Sequence, residues 1–311
     1  MSEMTRSVLV TGGCGFLGTH VVRQLVGSGH SVTVFDDLSN GKVKRIAREI
    51  ELGTRVVVGD VTNRSQVREV MTQVRPWGVV HLAGPVNLLE SVNDPDKYYR
   101  GHVEGTYNVV AESGRSGAQR LVFANSAAVY GLTSIHPTPE SHPVAPTNPY
   151  AVCKYLAEQV ALHLCPMYGI GFVSLRLTNL YGEFASALFG LFVRQMRTGQ
   201  PLTVTGDGSQ RRDFVYVGDV AQAFQMALTS HLENEVLNVG TGETISVLEM
   251  AEYFDAPINF VKRPPHEPDI IQGSIDRLRT SLPSAVPMSK PRDQVPKILK
   301  RLCSQPKDSE D

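Results

Sequence analysis

The segment from Ser7 to Gly18, SVLVTGGCGFLG, constrains the fold more than any other part of the chain. An apolar run rich in valine stops at glycines, and Gly12, Gly15 and Gly18 follow at intervals of three before a stretch with helical character. Such glycines allow a tight turn, a close approach of the backbone to a pyrophosphate and close packing of a helix on a strand. The N-terminus of that helix attracts phosphate. The segment therefore predicts a strand, a phosphate-binding loop and a helix.

Further along, apolar runs that resemble strands alternate with stretches that resemble helices. The predicted strands are Ser31–Asp36, Arg55–Asp60, Gly78–Gly84, Arg120–Ser126 and Gly171–Thr178. This alternation favours a parallel sheet with helices on both faces, a Rossmann-type doubly wound α/β fold. After Asn179 we expect a smaller C-terminal α/β lobe, from which Glu235–Val239 returns as a strand to the first lobe. Ligands of such folds bind beyond the carboxyl ends of the strands.

Net charge and composition limit the kinds of partner that the chain is expected to bind. The chain has 311 residues and a net charge of −1, which gives no case for nucleic acid or an anionic membrane as a partner. Met1–Arg6 does not resemble a signal peptide, and no apolar run approaches the ~20 residues of a membrane span. We therefore expect a cytoplasmic protein. The four cysteines lack the spacing of metal ligands or of a disulfide framework, so we expect reduced thiols and no metal.

Asp36 ends the second predicted strand, 18 residues after Gly18. A dinucleotide-binding fold places there the carboxylate that accepts hydrogen bonds from the adenosine ribose. Because this carboxylate repels a 2′-phosphate, it favours NAD over NADP. A strand-end turn is the alternative role for Asp36, and the basic residues between Lys42 and Arg48 leave NADP open as the second possibility.

Tyr150 and Lys154 lie four residues apart in a predicted helix, and hence on one of its faces. A phenol is a poor base at neutral pH, but a neighbouring ammonium and an oxidised nicotinamide lower its pKa. Tyr150 is then able to take a proton from an alcohol while hydride leaves for the nicotinamide. Ser126, at the end of a predicted strand, is placed to hydrogen-bond the same oxygen. A helix pair without function is the alternative.

At these residues the chain resembles the extended short-chain dehydrogenase/reductase family, in particular its nucleotide-sugar epimerases and dehydratases. The resemblance covers nearly the whole chain. It rests on the segments TGGCGFLG (11–18), FDDLSNG (35–41), GDVTN (59–63), HLAG (81–84), FANSAAVYG (123–131), YAVCK (150–154), RLTNLYG (176–182), GDGSQRRDFVYVGDVAQA (206–223) and NVGTG (238–242).

The resemblance implies roles for individual residues. Ser126, Tyr150 and Lys154 are the expected catalytic residues. The expected NAD-binding residues are Gly12, Gly15, Phe16, Leu17, Gly18, Asp36, Asn40, Asp60, Val61, Leu82, Ala83, Gly84, Tyr150 and Lys154. The expected substrate-binding residues are Ser126, Tyr150, Asn179, Val204, Arg212 and Arg263. An NAD-binding domain is expected over residues 1–178, with a returning segment near 210–242, and a nucleotide-sugar-binding lobe over residues 179–311.

The residues after Ser126 narrow the reaction. Sugar dehydratases of the family carry an Asp-Glu pair there, whereas this chain has Ala127-Ala128. Without an acid and a base for elimination, the three residues only move a hydride and a proton, which suits C4 epimerisation of a UDP-sugar through a 4-keto intermediate with tightly held NAD. UDP-glucose and UDP-galactose, or a UDP-N-acetylhexosamine, are the expected substrates. A reductase, a dehydrogenase or a dehydratase-like enzyme of the same family, and a non-enzymatic sensor of NAD(P) or sugar nucleotides, are the alternatives.

Three further positions bear on details. His102 stands where the family often has the asparagine of its NVxGT motif; we interpret it as a packed helix residue, with a cofactor contact as the alternative. If the C-terminal pattern is anchored on Asp276, Gly273 falls where related epimerases limit the size of the sugar, and a small residue there would admit an N-acetylhexosamine. Family members are usually dimers, so we expect a homodimer paired through the helices that start near Val103 and Pro149.

Overall fold

The computed structural model describes residues 5–264 and 267–304, so part of the leading segment considered above, Met1–Met4, lies outside the described residues. Its strands are β1 (Ser7–Thr11), β2 (Ser31–Asp36), β3 (Arg55–Val58), β4 (Gly78–His81), β5 (Arg120–Ser126), β6 (Gly171–Leu177), β7 (Asn179–Tyr181), β8 (Leu202–Thr205), β9 (Arg211–Arg212), β10 (Phe214–Tyr216), β11 (Glu235–Val239), β12 (Ile245–Ser246), β13 (Ile258–Val261) and β14 (Ile270–Ile271).

The helices alternate with these strands over the first two thirds of the chain. The α-helices are α1 (Phe16–Gly27), α2 (Ala47–Glu51), α3 (Arg64–Val74), α4 (Leu88–Asn93), α5 (Pro95–Tyr98), α6 (Gly105–Ser116), α7 (Pro149–Met167), α8 (Leu188–Arg197), α9 (Val217–Thr229), α10 (Val247–Glu252), α11 (Asp276–Ser281) and α12 (Pro291–Cys303). A π-helix over Tyr99–Glu104 leads into α6. Within the described residues, no helix is long and apolar enough to cross a membrane.

Seven parallel strands form the main sheet in the order β11-β6-β5-β4-β1-β2-β3. The predicted doubly wound α/β fold is therefore confirmed. The central strands are continuous apolar runs because both faces of the sheet are covered. Helices α1 and α9 cover one face, and α3, α6 and α7 cover the other. Because the strands are parallel, the segments after β1, β2, β4 and β5 meet at one edge.

A smaller assembly of short strands and helices stands beyond that edge. It contains the pairs β7–β10 and β8–β13 and the three-stranded sheet β12-β9-β14. Phe189 and Phe192 of α8, Phe254 after α10 and Leu302 of α12 form its core. Strand β11, which comes later in the chain, pairs with β6 in the main sheet. The division of the chain into domains at residue 178 stays a prediction.

Several helix ends follow from local sequence. Asn63 caps α3 by accepting hydrogen bonds from Ser65 N and Gln66 N, as its place before the helix indicates. Ser246 and Glu249 form the capping box that their spacing predicts. The helix expected to start near Val103 differs: its first residues belong to the π-helix, and the α-helix begins at Gly105 and continues to Ser116.

Candidate active site

The glycine loop between β1 and α1 has the shape of a phosphate cradle. Gly12 has φ +72°, and a Cβ on Gly18 would lie 2.0 Å from Gly12 O, so only glycine allows this contact between loop and helix. A Cβ on Gly15 would meet Gly12 O alone, at 3.3 Å, which leaves the outer side of Gly15 open. Phe16 and Leu17 begin α1, and no side chain of the described residues caps that helix. The uncapped N–H groups and the open glycine fit the pyrophosphate of NAD.

The loop after β4 lies directly against the glycine loop. A Cβ on Gly12 would lie 2.9 Å from Ala83 N, and Leu82 N donates to Thr11 O at 3.1 Å. Gly84 follows with φ +139°, and the imidazole of His102 packs on it so closely that a Cβ would lie 2.3 Å from Cε1 of His102. The structure thus brings together the segments expected at the pyrophosphate and at the nicotinamide.

At the adenosine end, Asp36 is buried and its carboxylate is already engaged. Oδ2 accepts a hydrogen bond from Cys14 N at 2.9 Å, and Oδ1 accepts one from Leu38 N at 2.8 Å. Burial raises the pKa of Asp36, while both backbone donors act in the opposite direction. The Asp36 carboxylate therefore lies at the end of β2, as expected, and also fixes the backbone of the glycine loop and of the turn after β2. Its role toward the ribose stays a prediction.

The other three adenosine-end candidates differ in surroundings. Asn40 is exposed. The carboxylate of Asp60 accepts hydrogen bonds from Thr62 N at 2.8 Å and Thr62 Oγ1 at 2.7 Å, which fixes the turn after β3. Val61 is buried, and its carbonyl accepts a hydrogen bond from Asn108 Nδ2 at 3.0 Å. All three lie on the segments that follow β2 and β3, on the same edge of the sheet.

Ser126, Tyr150 and Lys154 meet where β5 ends against the first turns of α7. Pro149 starts this helix, and Asn148 caps it by accepting a hydrogen bond from Ala151 N at 2.9 Å. Tyr150 and Lys154 are buried, and the Tyr150 phenol interacts with the Ser126 hydroxyl. The Lys154 ammonium donates to Ala124 O at 2.8 Å. The three predicted catalytic side chains are therefore neighbours.

Burial dominates the ionisation of this group. It lowers the pKa of Lys154 to about 7 and raises the pKa of Tyr150, with the Ser126 hydroxyl lowering the latter. The expected lowering of the Tyr150 pKa by Lys154 is not among these effects. The physical reason is that both groups are out of water, where each charged form loses its hydration. Activation of the phenol therefore depends on what a bound cofactor and substrate add.

A buried polar network, which the sequence did not reveal, holds this corner in place. Glu158, one turn after Lys154 on α7, is fully buried and accepts hydrogen bonds from Asn125 Nδ2 at 2.6 Å and Ser174 Oγ at 2.7 Å. Its other oxygen pairs with Arg176 Nη2 at 2.6 Å. The network ties β5, β6 and α7 together directly beneath Ser126. The sequence offered one signal for this network: α7 and β6 are both apolar elements, and each contains a charged residue of the pair.

The predicted diphosphate-binding arginines lie together in the smaller assembly. Arg212, on β9, pairs with Glu267 at 3.0 Å between Nη2 and Oε1, and Arg263 Nη2 donates to Glu267 O at 2.8 Å. Arg263 also pairs with Asp269 at 2.7 Å. Asn179, the first residue of β7, is half-buried, and its backbone N–H donates to Asp213 O, next to Arg212. Two cations and an amide thus stand beyond the carboxyl edge of the main sheet.

Two further substrate-side candidates, Val204 and Gly273, are buried. Val204, expected beside the nucleotide base, has a side chain that is completely buried in the core of the smaller assembly, and its role toward the base stays a prediction. The alternation of β8 turns Val204 toward that core. Gly273 is buried against Asn238, and a Cβ there would lie 3.1 Å from Asn238 Cβ. A larger residue at this position would therefore meet Asn238 rather than an open pocket.

Comparisons with known proteins agree with this arrangement. The model of the NAD dependent epimerase/dehydratase family matches residues 8–240. The chain is 31% identical over 291 residues to UDP-glucose 4-epimerase of Bacillus subtilis, which covers 83% of this chain and 86% of that protein.

Solved structures give the same result. A UDP-glucose 4-epimerase of Thermus thermophilus in complex with NAD superposes with a TM-score of 0.88 at 29% identity, covering 96% of this chain and 100% of that one. A UDP-glucose 4-epimerase of Thermotoga maritima, solved with UDP-glucose, has a TM-score of 0.88 at 26% identity and covers 94% of this chain and 97% of that one.

Proposed function

The chain belongs to the NAD dependent epimerase/dehydratase family, and we propose that it interconverts UDP-glucose and UDP-galactose at C4 of the sugar. At the coarser level it is an NAD-dependent enzyme of the nucleotide-sugar epimerase type. One observation carries the finer proposal: Tyr150, Lys154 and Ser126 converge, while Ala127 and Ala128 stand where an elimination would need an acid and a base.

In this proposal the two parts of the chain divide the ligands. Residues 1–178 hold NAD through the glycine loop and the segments after β2, β3 and β4, and residues 179–311 hold the nucleotide sugar. Arg212 and Arg263 bind the diphosphate, since guanidinium groups pair with phosphate oxygens bidentately. The Glu267 carboxylate forms ion pairs with both arginines. When the diphosphate binds, it replaces this carboxylate or binds the arginines together with it.

The only group that the chain's own residues transfer in this mechanism is one proton. When bound, NAD supplies a hydride acceptor and a positively charged ring. Together with the Lys154 ammonium, that charge favours the phenolate of Tyr150, which takes the proton of the C4 hydroxyl. Ser126 donates a hydrogen bond to the same oxygen. With NAD bound, the 4-keto sugar would turn over in its site, and Tyr150 would return the proton to the C4 oxygen when the sugar is reduced from its other face.

The test is turnover without added cofactor. Purified protein is incubated with UDP-glucose, UDP-galactose or UDP-N-acetylglucosamine, and the configuration at C4 is followed by proton NMR. We expect the first two to interconvert. A product that forms only with added NADH or NADPH would instead establish a reductase, and binding without conversion of any UDP-sugar would establish a sensor. Conversion of the acetylated sugar alone would overturn the proposed substrate.

We also propose that two copies pair through α6, α7 and the π-helix. Large apolar side chains on these elements face solvent: Tyr99 is 47% exposed, Tyr107 43%, Val152 38% and Leu156 39%. Tyr99 lines one groove with Val152 and Leu156 and another with Tyr107. An exposed apolar face marks an interaction surface, and the resemblance to the family implies pairing through the same helices. Light scattering after size exclusion measures the mass. A dimer that Leu156→Glu converts to a monomer supports the proposal, and a monomeric wild-type protein contradicts it.

A further inference from the structure

His102 contacts the proposed catalytic tyrosine but has no place in the mechanism above. It lies in the π-helix Tyr99–Glu104 and is 1% exposed. Its ring stands edge-to-face against Tyr150, with 5.6 Å between the ring centroids and 72° between the planes. The favoured interpretation of His102 from the sequence, a packed helix residue, accounts for this burial. It leaves open what the two ring nitrogens do.

The hydrogen bonding of His102 fixes its tautomer. Nε2 lies 2.8 Å from Pro85 O, and a carbonyl oxygen only accepts, so Nε2 carries the hydrogen. Burial and the Lys154 ammonium hold the pKa of His102 well below its ordinary value, so the ring is neutral and Nδ1 is a bare acceptor. Within the described residues this Nδ1 is buried and has no hydrogen-bond partner. Buried acceptors in proteins are nearly always paired.

The bare nitrogen lies against Gly84, one of the residues expected along the nicotinamide. A Cβ on Gly84 would lie 2.4 Å from Nδ1, so this edge of the ring rests on the loop after β4. The Lys154 ammonium is near enough for its charge to act on the ring. An ammonium has three hydrogens, and the described part of the chain shows Ala124 O as the acceptor for one of them. A buried acceptor and a buried ammonium thus both lie around Tyr150, since His102 packs on its ring and Lys154 follows it by one turn of α7.

We propose that Nδ1 of His102 accepts a hydrogen bond from a hydroxyl donor, either water or a ribose hydroxyl of NAD, that bridges it to the Lys154 ammonium. His102 is then a positioning residue: it holds Lys154 toward Tyr150 without taking part in proton transfer itself. The inference rests on the proposed function for the reaction it serves. The hydrogen bond itself is testable without turnover.

The direct test is 15N NMR of protein labelled at its histidine rings. The His102 signals are identified by their loss in His102→Phe or His102→Asn. We expect the Nδ1 resonance of the NAD-loaded protein to move upfield from the position of a bare imidazole nitrogen. The same shift in NAD-free protein assigns the donor to water, and a shift that appears only with NAD assigns it to the cofactor. A bare or protonated Nδ1 in the loaded protein overturns the proposal.

Kinetics give a second, matched test. His102→Phe keeps a ring against Tyr150 and Gly84 but lacks the acceptor, whereas His102→Asn restores an acceptor. We expect the phenylalanine variant to lower kcat about twofold to tenfold, as for the loss of one hydrogen bond between neutral groups, with KM for the UDP-sugar little changed. The asparagine variant should recover most of the loss, and His163→Phe, at an exposed position on α7, should change nothing.

The outcomes separate this inference from the proposed function. A His102→Phe variant that folds and keeps wild-type kcat reduces His102 to packing. If that variant does not fold, the NMR measurement on the wild-type protein decides alone. A wild-type protein that holds NAD but converts no UDP-sugar refutes the proposed function, while the Nδ1 resonance still shows whether the bridge exists.

Discussion

Replacing Lys154 with methionine is expected to stabilise the NAD-free protein while abolishing its turnover. Burial lowers the pKa of Lys154 to about 7 in the folded protein, whereas an unfolded lysine titrates near 10.4. At a pH below the pKa in the folded protein, Lys154 is charged in the folded state, and folding has to remove the hydration of its ammonium. A gap of more than three units corresponds to about 4 kcal/mol, an upper limit because local relaxation reduces it.

The sign of the pH dependence follows from proton uptake. Between about pH 7 and pH 10 the unfolded chain binds a proton at this lysine that the folded chain does not bind, so the lysine's contribution to stability rises with pH by about 3 kcal/mol between pH 7 and 9.5. Burial raises the pKa of Cys14 and Cys165 to about 12, which acts in the opposite direction above pH 8.5. Both cysteines are present in wild type and in Lys154→Met, so their effect cancels in the difference between the two free energies of unfolding.

The assay is urea-induced unfolding of NAD-free protein at both pH values, followed by the fluorescence of Trp77, the only tryptophan, which lies just before β4. Lys154→Met should be the more stable protein near neutral pH, and its advantage should shrink toward pH 9.5. Lys297→Met, at an exposed position on α12, is the matched control and should show no such trend. Equal pH slopes for wild type and Lys154→Met would refute the reasoning.

Three further variants test the site. Tyr150→Phe should lower kcat by about a hundredfold or more with UDP-sugar affinity nearly unchanged in calorimetry, while Tyr155→Phe on the same helix should have little effect; near-normal turnover would remove the phenol from the mechanism. Arg212→Met should weaken UDP binding about tenfold to a hundredfold and Arg211→Met much less, because Arg211 turns to Thr244; equal UDP affinities for the two variants would place the diphosphate elsewhere. Glu158→Gln should cost about 3 kcal/mol in urea unfolding, since its buried arginine partner loses a counter-charge; a loss below about 1 kcal/mol would show that the pair is not needed for stability.

The main sheet could be predicted because its strands are apolar on both faces and end in recognisable turns. The glycine loop, the succession of strands along the chain up to β6 and the strand Glu235–Val239 follow from patterns that are local in the sequence. The convergence of Ser126, Tyr150 and Lys154 also follows, since one lies at a strand end and two lie one helical turn apart.

Other features depend on contacts between distant segments, which local patterns do not encode. The π-helix over Tyr99–Glu104 could not be told from an α-helix by periodicity. The burial of the Val204 side chain could not be predicted, because the alternation of a short strand does not reveal which side faces the core. The carboxylate of Glu267 was not expected between the two arginines, because side chains more than fifty residues apart in sequence meet there.

The position of β11 has a consequence for synthesis on the ribosome. Strand β6 gains its outer neighbour only after Val239 has emerged, although β6 itself is complete at Leu177. During the intervening elongation the nascent sheet carries an open edge, the kind of edge that invites pairing with another chain. A fragment that stops after β6 would keep that edge, so we expect residues 1–177 alone to be more prone to pairing with other chains than the whole protein.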